Sequence, residues 1–214
     1  MTKIAVITGA SGGLGKSLTK EFVAKGWQVI GTGRSEQPSD LPDGVTYRQF
    51  DASEAKASES FWQELKQANP DAEICLVNNA GGYVSGGLTE VKPEDYDLQM
   101  RSSYFTAVYM TRGLAVNFPR ARIVNIISSS ALTAYKDDSA YGAAKAAAKH
   151  FFQSLQEEFS PKQYQITNLY PSDIATHGAD TKAIDPEDLA VFVRQQAEND
   201  SSHYLRDATV YPSS

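Results

Sequence analysis

The sequence predicts an α/β fold: a doubly wound, mostly parallel sheet of about seven strands held between two layers of helices. Two observations carry this expectation. Short apolar, β-branched runs alternate along the chain with stretches of helical periodicity, which calls for crossover connections between parallel strands. Fifteen glycines stand among those runs, as suits an architecture with many tight turns. At 214 residues and 41% hydrophobic content, the chain fits one domain, residues 1–214, with a substantial core.

Lys3–Thr8 is apolar, β-branched and bounded by glycine, the mark of a buried first strand. Leu14, Leu18, Phe22 and Val23 fall at helical spacing over residues 13–25, and Gly26 supplies the C-terminal stop. Residues 27–32 read as the second strand. Residues 34–44 hold two prolines and little periodicity, which predicts a loop. Residues 45–50 form a short third strand. Ser53 is placed to cap a helix running to about Ala68, ended by Asn69-Pro70.

Glu73–Asn78 is the fourth strand, and Pro93 opens a long helix through about Asn117. The fifth strand spans residues 122–128, and an alanine-rich helix spans 139–159. Residues 165–169 make a sixth strand closed by Pro171. Pro186-Glu187-Asp188 begins the last helix, and residues 204–211 are the final strand.

A net charge of −6 argues against a nucleic-acid partner, which calls for a basic face. The single cysteine, Cys75, excludes an intrachain disulfide and a multi-cysteine zinc site, so no metal is expected. It lies in the apolar run Ile74-Cys75-Leu76-Val77 and reads as a small buried side chain. The apolar stretch before Gly9 is too short for a signal peptide. No run approaches the roughly 20 residues needed to cross a bilayer. A cytoplasmic protein without a membrane partner is expected.

Two motifs carry chemistry. Tyr141 precedes Lys145 by four residues, so both project from one helical face, and Ser128 lies thirteen residues before Tyr141. A free tyrosine titrates near about 10, too high to exchange protons easily at neutral pH. A fixed ammonium favours the phenolate and brings the phenol into working range. The second motif is Thr8-Gly9-Ala10-Ser11-Gly12-Gly13-Leu14-Gly15, where the first strand passes into a helix. Gly9 permits the tight turn. Gly13 and Gly15 let backbone amides approach a pyrophosphate at the helix N-terminus. At the end of the second strand, Gly33-Arg34 stands where an acid would bind an adenine ribose. The missing acid and the guanidinium favour a 2′-phosphate, hence NADP(H), with NAD(H) also accommodated.

In their order and spacing these residues resemble the short-chain dehydrogenase/reductase family, with its Rossmann-type fold, across nearly the whole chain. The matching pieces are residues 8–15, Asp51, Asn78-Asn79-Ala80-Gly81, Ser128, Tyr141-Gly142-Ala143-Ala144-Lys145, and Pro171-Ser172 with Thr176. The resemblance implies that Ser11, Gly12 and Leu14 share the glycine turn's cofactor role. It implies that Asp51 and Ala52 hold the adenine. Asn79, Ala80 and Gly81 would border the ribose and nicotinamide, and Pro171, Ile174 and Thr176 the carboxamide. Tyr141 would protonate the carbonyl oxygen, Lys145 would lower its pKa and bind ribose hydroxyls, and Ser128 would bond the developing charge.

Three departures stand out. Ser103 occupies the place of a helix asparagine that holds a water beside the lysine. Pro171-Ser172 replaces Pro-Gly. The segment 176–186 is short where many members carry a substrate lid, which suggests an open site or one completed by a neighbouring subunit.

The resemblance thus implies an NADPH-dependent reductase of small carbonyl compounds, reversible as an alcohol dehydrogenase. Gly82, Tyr83, Val84, Ala131, Leu132, Tyr135 and Ser172 are the expected pocket walls. Ala80-Gly81-Gly82-Tyr83, Ser103 and the short lid also resemble dihydropteridine reductase, which makes a pteridine or imine substrate the second reading. A cofactor-binding regulator without turnover is the alternative of another class. Members usually pair through helices corresponding to 94–117 and 139–159, so a homodimer or homotetramer is expected.

Overall fold

The computed structural model describes residues 2–176, 182–199 and 203–212. Seven strands form one sheet: β1 (Lys3–Thr8), β2 (Gln28–Gly33), β3 (Val45–Gln49), β4 (Glu73–Asn78), β5 (Ala121–Ile126), β6 (Tyr164–Pro171) and β7 (Asp207–Val210). Their order is β3-β2-β1-β4-β5-β6-β7, and every neighbouring pair is parallel. The helices are α1 (Gly13–Ala24), α2 (Ala55–Ala68), α3 (Pro93–Met100), α4 (Thr106–Asn117), α5 (Ser139–Glu158) and α6 (Pro186–Ala197). Central strands are buried on both faces, so they read as unbroken apolar runs rather than alternating ones.

One helical layer, α1 with α6, packs Leu14, Leu18, Phe22, Leu189 and Val193 against the sheet. The other, made by α2, α4 and α5, contributes Trp62, Met110, Leu114 and Phe152. Within it Gly113 is the contact point between two helices: a Cβ there would lie 2.5 Å from Trp62 Cδ1.

Several local expectations change. The long helix from Pro93 to Asn117 is interrupted by a wide π turn over Arg101–Phe105. Thr106 Oγ1 donates to Arg101 O, five residues back, and Ser102 Oγ donates to Gln99 O. Hydroxyls competing for main-chain carbonyls are a known cause of such ladder defects. Ser53 does not cap α2. Its hydroxyl donates to Asp51 Oδ1 instead, and the helix starts two residues later, behind Glu54. β5 stops at Ile126, two residues short of Ser128, which frees that serine from the ladder. β6 runs on to include Pro171, paired with Val210, where a residue without an N–H is tolerated at the strand end. β7 is four residues long, the core of the expected 204–211. Of the segment 176–186, expected to be short where other members carry a lid, residues 177–181 lie outside the described residues.

The sheet reverses its winding between β1 and β4, and the crevice of a doubly wound sheet opens at the carboxyl ends beside such a point. Beneath it runs a ladder in register across four strands, three buried amides ending on the exposed Asp207 carboxylate. Asn78 Nδ2 donates to Asn125 Oδ1, Asn125 Nδ2 to Asn168 Oδ1, and Asn168 Nδ2 to Asp207 Oδ1. Each bond joins facing residues of adjacent strands, so the ladder fixes the register on which the site depends.

Candidate active site

A cleft of about 960 Å³ lies along the carboxyl ends of the strands. At one end sits the turn from β1 into α1. Gly9 has φ +66°, and a Cβ there would come within 2.9 Å of Ala80 Cα. A side chain at Gly15 would run into Gly9 O, and one at Gly13 would lie 2.8 Å from Thr176 Cβ. Glycine is required at all three because three segments meet there. The first turn of α1 carries no acidic residue, so its free amides and the positive end of the helix dipole face the cleft without competition. Ser11, Gly12 and Leu14 line the same wall. The cradle suits a pyrophosphate.

Thr8, which the sequence reading included in the motif without giving it a role, is the rivet of this turn. Its hydroxyl accepts from Asn79 N at 3.0 Å and Ala80 N at 2.9 Å. Asn79 Nδ2 in turn donates to Thr8 O at 2.9 Å and Gly9 O at 3.2 Å. The Asn79 amide is therefore spent on the backbone, and only its oxygen remains for a ligand.

Arg34 is exposed at the mouth beside Ser35, and Tyr47 completes the corner. The Tyr47 hydroxyl donates to Ser35 O at 3.0 Å and occupies the space a side chain at Gly33 would fill. Tyr47 is a residue the sequence reading missed, since nothing in a strand sequence says which strand flanks which. Asp51 and Ala52 line the cleft further along, and Asp51 Oδ1 is held by Ser53 N at 2.9 Å.

Ser128, Tyr141 and Lys145 line the same cleft, as do Pro171, Ile174 and Thr176, the last of them against the glycine turn. Lys145 is 5% exposed. Its Nζ lies 5.5 Å from the centre of the Tyr141 ring and donates to Ile126 O at 3.3 Å. Burial alone brings its pKa down to about 8. Tyr141 behaves opposite to expectation. Burial pushes its pKa up, outweighing the Ser128 hydroxyl that pulls it down, and the Asp138, Tyr83 and Asp173 side chains add to the rise. The phenol is thus held protonated.

Ser103 does not line the cleft; it is buried behind Gly81. A Cβ at Gly81 would lie 3.3 Å from both Ser103 Oγ and Lys145 Nζ, so those two polar atoms converge on one point. Of the expected pocket walls, Gly82, Tyr83, Val84, Tyr135 and Ser172 line the cleft. Ala131 and Leu132 do not. They line an adjoining groove of about 500 Å³, because the short 3₁₀ turn Ser129–Ala131 carries the chain away from the cleft. Leu98, Gln99 and Asp138 are cleft residues that the sequence reading missed. Cys75 is buried, and burial raises its thiol to about 12, so it stays inert.

A family model described as short chain dehydrogenase matches residues 3–186. The NADP-dependent 3-hydroxy acid dehydrogenase YdfG of Salmonella typhi is 28% identical over 218 residues, covering 89% of this chain and 87% of its own. Dehydrogenase/reductase SDR family member 7B of Xenopus tropicalis is 30% identical over 191 residues, 81% of this chain; the chain spans 62% of that protein's length. Serine dehydrogenase from Escherichia coli superposes with a TM-score of 0.86 at 25% identity, covering 98% of this chain and 97% of its own. A metagenomic short-chain oxidoreductase in complex with NADP gives a TM-score of 0.85 at 26% identity, covering 99% and 97%. The chain therefore belongs to the short-chain dehydrogenase/reductase family.

Proposed function

We propose that this single domain is an NADPH-dependent reductase of small carbonyl compounds, reversible as an alcohol dehydrogenase, with Tyr141 as its acid–base group. The observation that carries the reading is that one cleft holds both the glycine cradle and Ser128, Tyr141 and Lys145. When bound, NADPH supplies the hydride. The protein's part is to hold the substrate oxygen and move a proton to it.

Tyr141, kept protonated by burial, is in the correct state to donate to a carbonyl oxygen. Ser128 Oγ accepts from Ser130 N at 3.1 Å, which leaves its own proton for the same oxygen. Lys145 presents an ammonium for ribose hydroxyls, over the Tyr141 ring at 5.5 Å from its centre. Arg34, beside a corner with no carboxylate at the end of β2, supports NADP(H) over NAD(H). That the YdfG relative is named NADP-dependent agrees.

At the cleft mouth Tyr83, Leu98 and Tyr135 expose apolar surface, which suits a small, moderately hydrophobic substrate. No helix among the described residues is long and apolar enough to cross a membrane. The reading places the enzyme in the cytoplasm, as a homodimer or homotetramer.

NADPH oxidation followed over a panel of ketones and aldehydes tests the assignment. Tyr141→Phe should cut kcat by about 10³-fold or more while NADPH affinity stays near wild type. Unchanged turnover would remove Tyr141 as the acid.

A further inference from the structure

Gln99 is fully buried, carries no charge, and stands on α3 at the entrance to the π turn. Every polar atom of its side chain is used. Nε2 donates to Gly82 O at 2.9 Å and to Ser103 Oγ at 2.7 Å, and Oε1 accepts from Val84 N at 3.0 Å. The amide orientation is dictated from outside. A backbone N–H can only donate and a carbonyl can only accept, so Val84 fixes the oxygen and Gly82 fixes the nitrogen. Ser103 Oγ must then accept from Gln99, and its own hydroxyl proton is left to point elsewhere. Over Gly81, that hydroxyl converges with Lys145 Nζ.

The same amide grips residues 82–84 from both sides of Tyr83. Gly82 is further tied by its N–H to Ser102 Oγ at 3.3 Å. Tyr83 is 69% exposed, yet its ring stands edge-on to Tyr141, 5.0 Å between centres and 76° between planes. An exposed tyrosine on a free loop would lose such a geometry to rotamer entropy. Its two clamped neighbours keep it in place.

We propose that Gln99 is a positioning residue that sets both halves of the site at once: it holds the loop presenting Tyr83 against Tyr141, and it fixes the Ser103 hydroxyl oxygen where, over Gly81, that oxygen converges with the Lys145 ammonium. The π turn is what makes this feasible, since the wide turn brings Ser102 and Ser103 to the loop on the side Gln99 already faces. The inference rests on Tyr141 being the acid, and its test separates the two.

Gln99→Met keeps the volume and removes all three bonds. In the full-length protein, amide hydrogen exchange at Val84 should accelerate at least tenfold, a readout independent of turnover. In kinetics kcat should fall on the order of tenfold to a hundredfold, with the KM for NADPH within twofold of wild type. The solvent deuterium isotope effect on kcat should shift to match that of Ser103→Ala, and the double variant should be no worse than the poorer single one. Gln99→Glu keeps an oxygen facing Val84 and has at most one donor, the proton a buried carboxyl retains, in place of two, so Val84 should stay protected while kcat falls toward that of Ser103→Ala. Unchanged exchange at Val84 in the Met variant, or rate losses that multiply in the double variant, would overturn the proposal. A wild-type protein without carbonyl turnover would instead remove the acid–base reading, with Val84 exchange still deciding the clamp.

Discussion

Tyr141 and Lys145 sit four residues apart on one helix, and burial acts on them in opposite directions. Each charged form is disfavoured, so the phenol is pushed up and the ammonium down to about 8. For a lysine this has a definite consequence for stability. An unfolded lysine titrates near about 10.4, so between about 8 and that value the unfolded chain holds a proton that the folded chain has lost. The free energy of unfolding therefore rises with pH across this window, by roughly 3 kcal/mol at most from this one group. Lys145→Met has no such proton to lose. The difference in Tm between wild type and this variant should move in favour of wild type from pH 8 to 10.5, and parallel curves would contradict the burial argument. Thr8 and Asn79 act differently at the same scale, spending side-chain hydrogen bonds on backbone so that the glycine turn keeps one shape.

Among elements, the contact of α2 with α4 shows how a helix gains from an absent side chain. Glycine inside a helix costs about 1 kcal/mol relative to alanine, so Gly113→Ala would stabilise an isolated helix. Here the added Cβ would meet Trp62 Cδ1 at 2.5 Å and Ser58 O at 3.3 Å, and Trp62 is fully buried. Overpacking of this kind costs about 1–3 kcal/mol, enough to reverse the sign. Gly113→Ala should lower Tm by several degrees in a thermal melt. A rise would mean that the two helices separate more easily than their packing suggests. The π turn between α3 and α4 obeys the same logic of local cost accepted for placement, since it orients Ser102 and Ser103 toward the residue 82–84 loop.

For the whole molecule, the π turn, α4 and α5 carry the partly exposed aromatics Tyr104, Phe105, Tyr109 and Phe151, joined by ring-to-ring contacts. Beside them α5 turns the small side chains of Ala143 and Ala146 outward, while Ala140, Ala144 and Ala148 face its own sheet. An aromatic strip flanked by small residues suits a self-complementary helix interface. Light scattering after size exclusion should give a mass at least twice 23.3 kDa, and a clean monomer would remove the oligomer from the proposal. The charge of −6 places no constraint on that face, which is aromatic rather than ionic.

The order of strands and helices, the glycine turn, and the shared helical face of Tyr141 and Lys145 were legible in the chain because each depends on local spacing or on a steric demand only one residue type meets. Periodicity reports which face is apolar, and the demand for glycine at residues 9, 13 and 15 reports a close approach. What the chain could not disclose were partners brought together by the sheet. Tyr47 reaches the Arg34 corner from β3, Thr8 binds a loop after β4, and Gln99 grips a loop 15 to 17 residues earlier. The interruption of α3 and α4 and the upward shift of Tyr141 belong to the same group. Helix periodicity alone does not reveal where side-chain hydroxyls outcompete the ladder. A proton affinity, likewise, is set by how much water the finished fold removes, a quantity that exists only once the layers have packed.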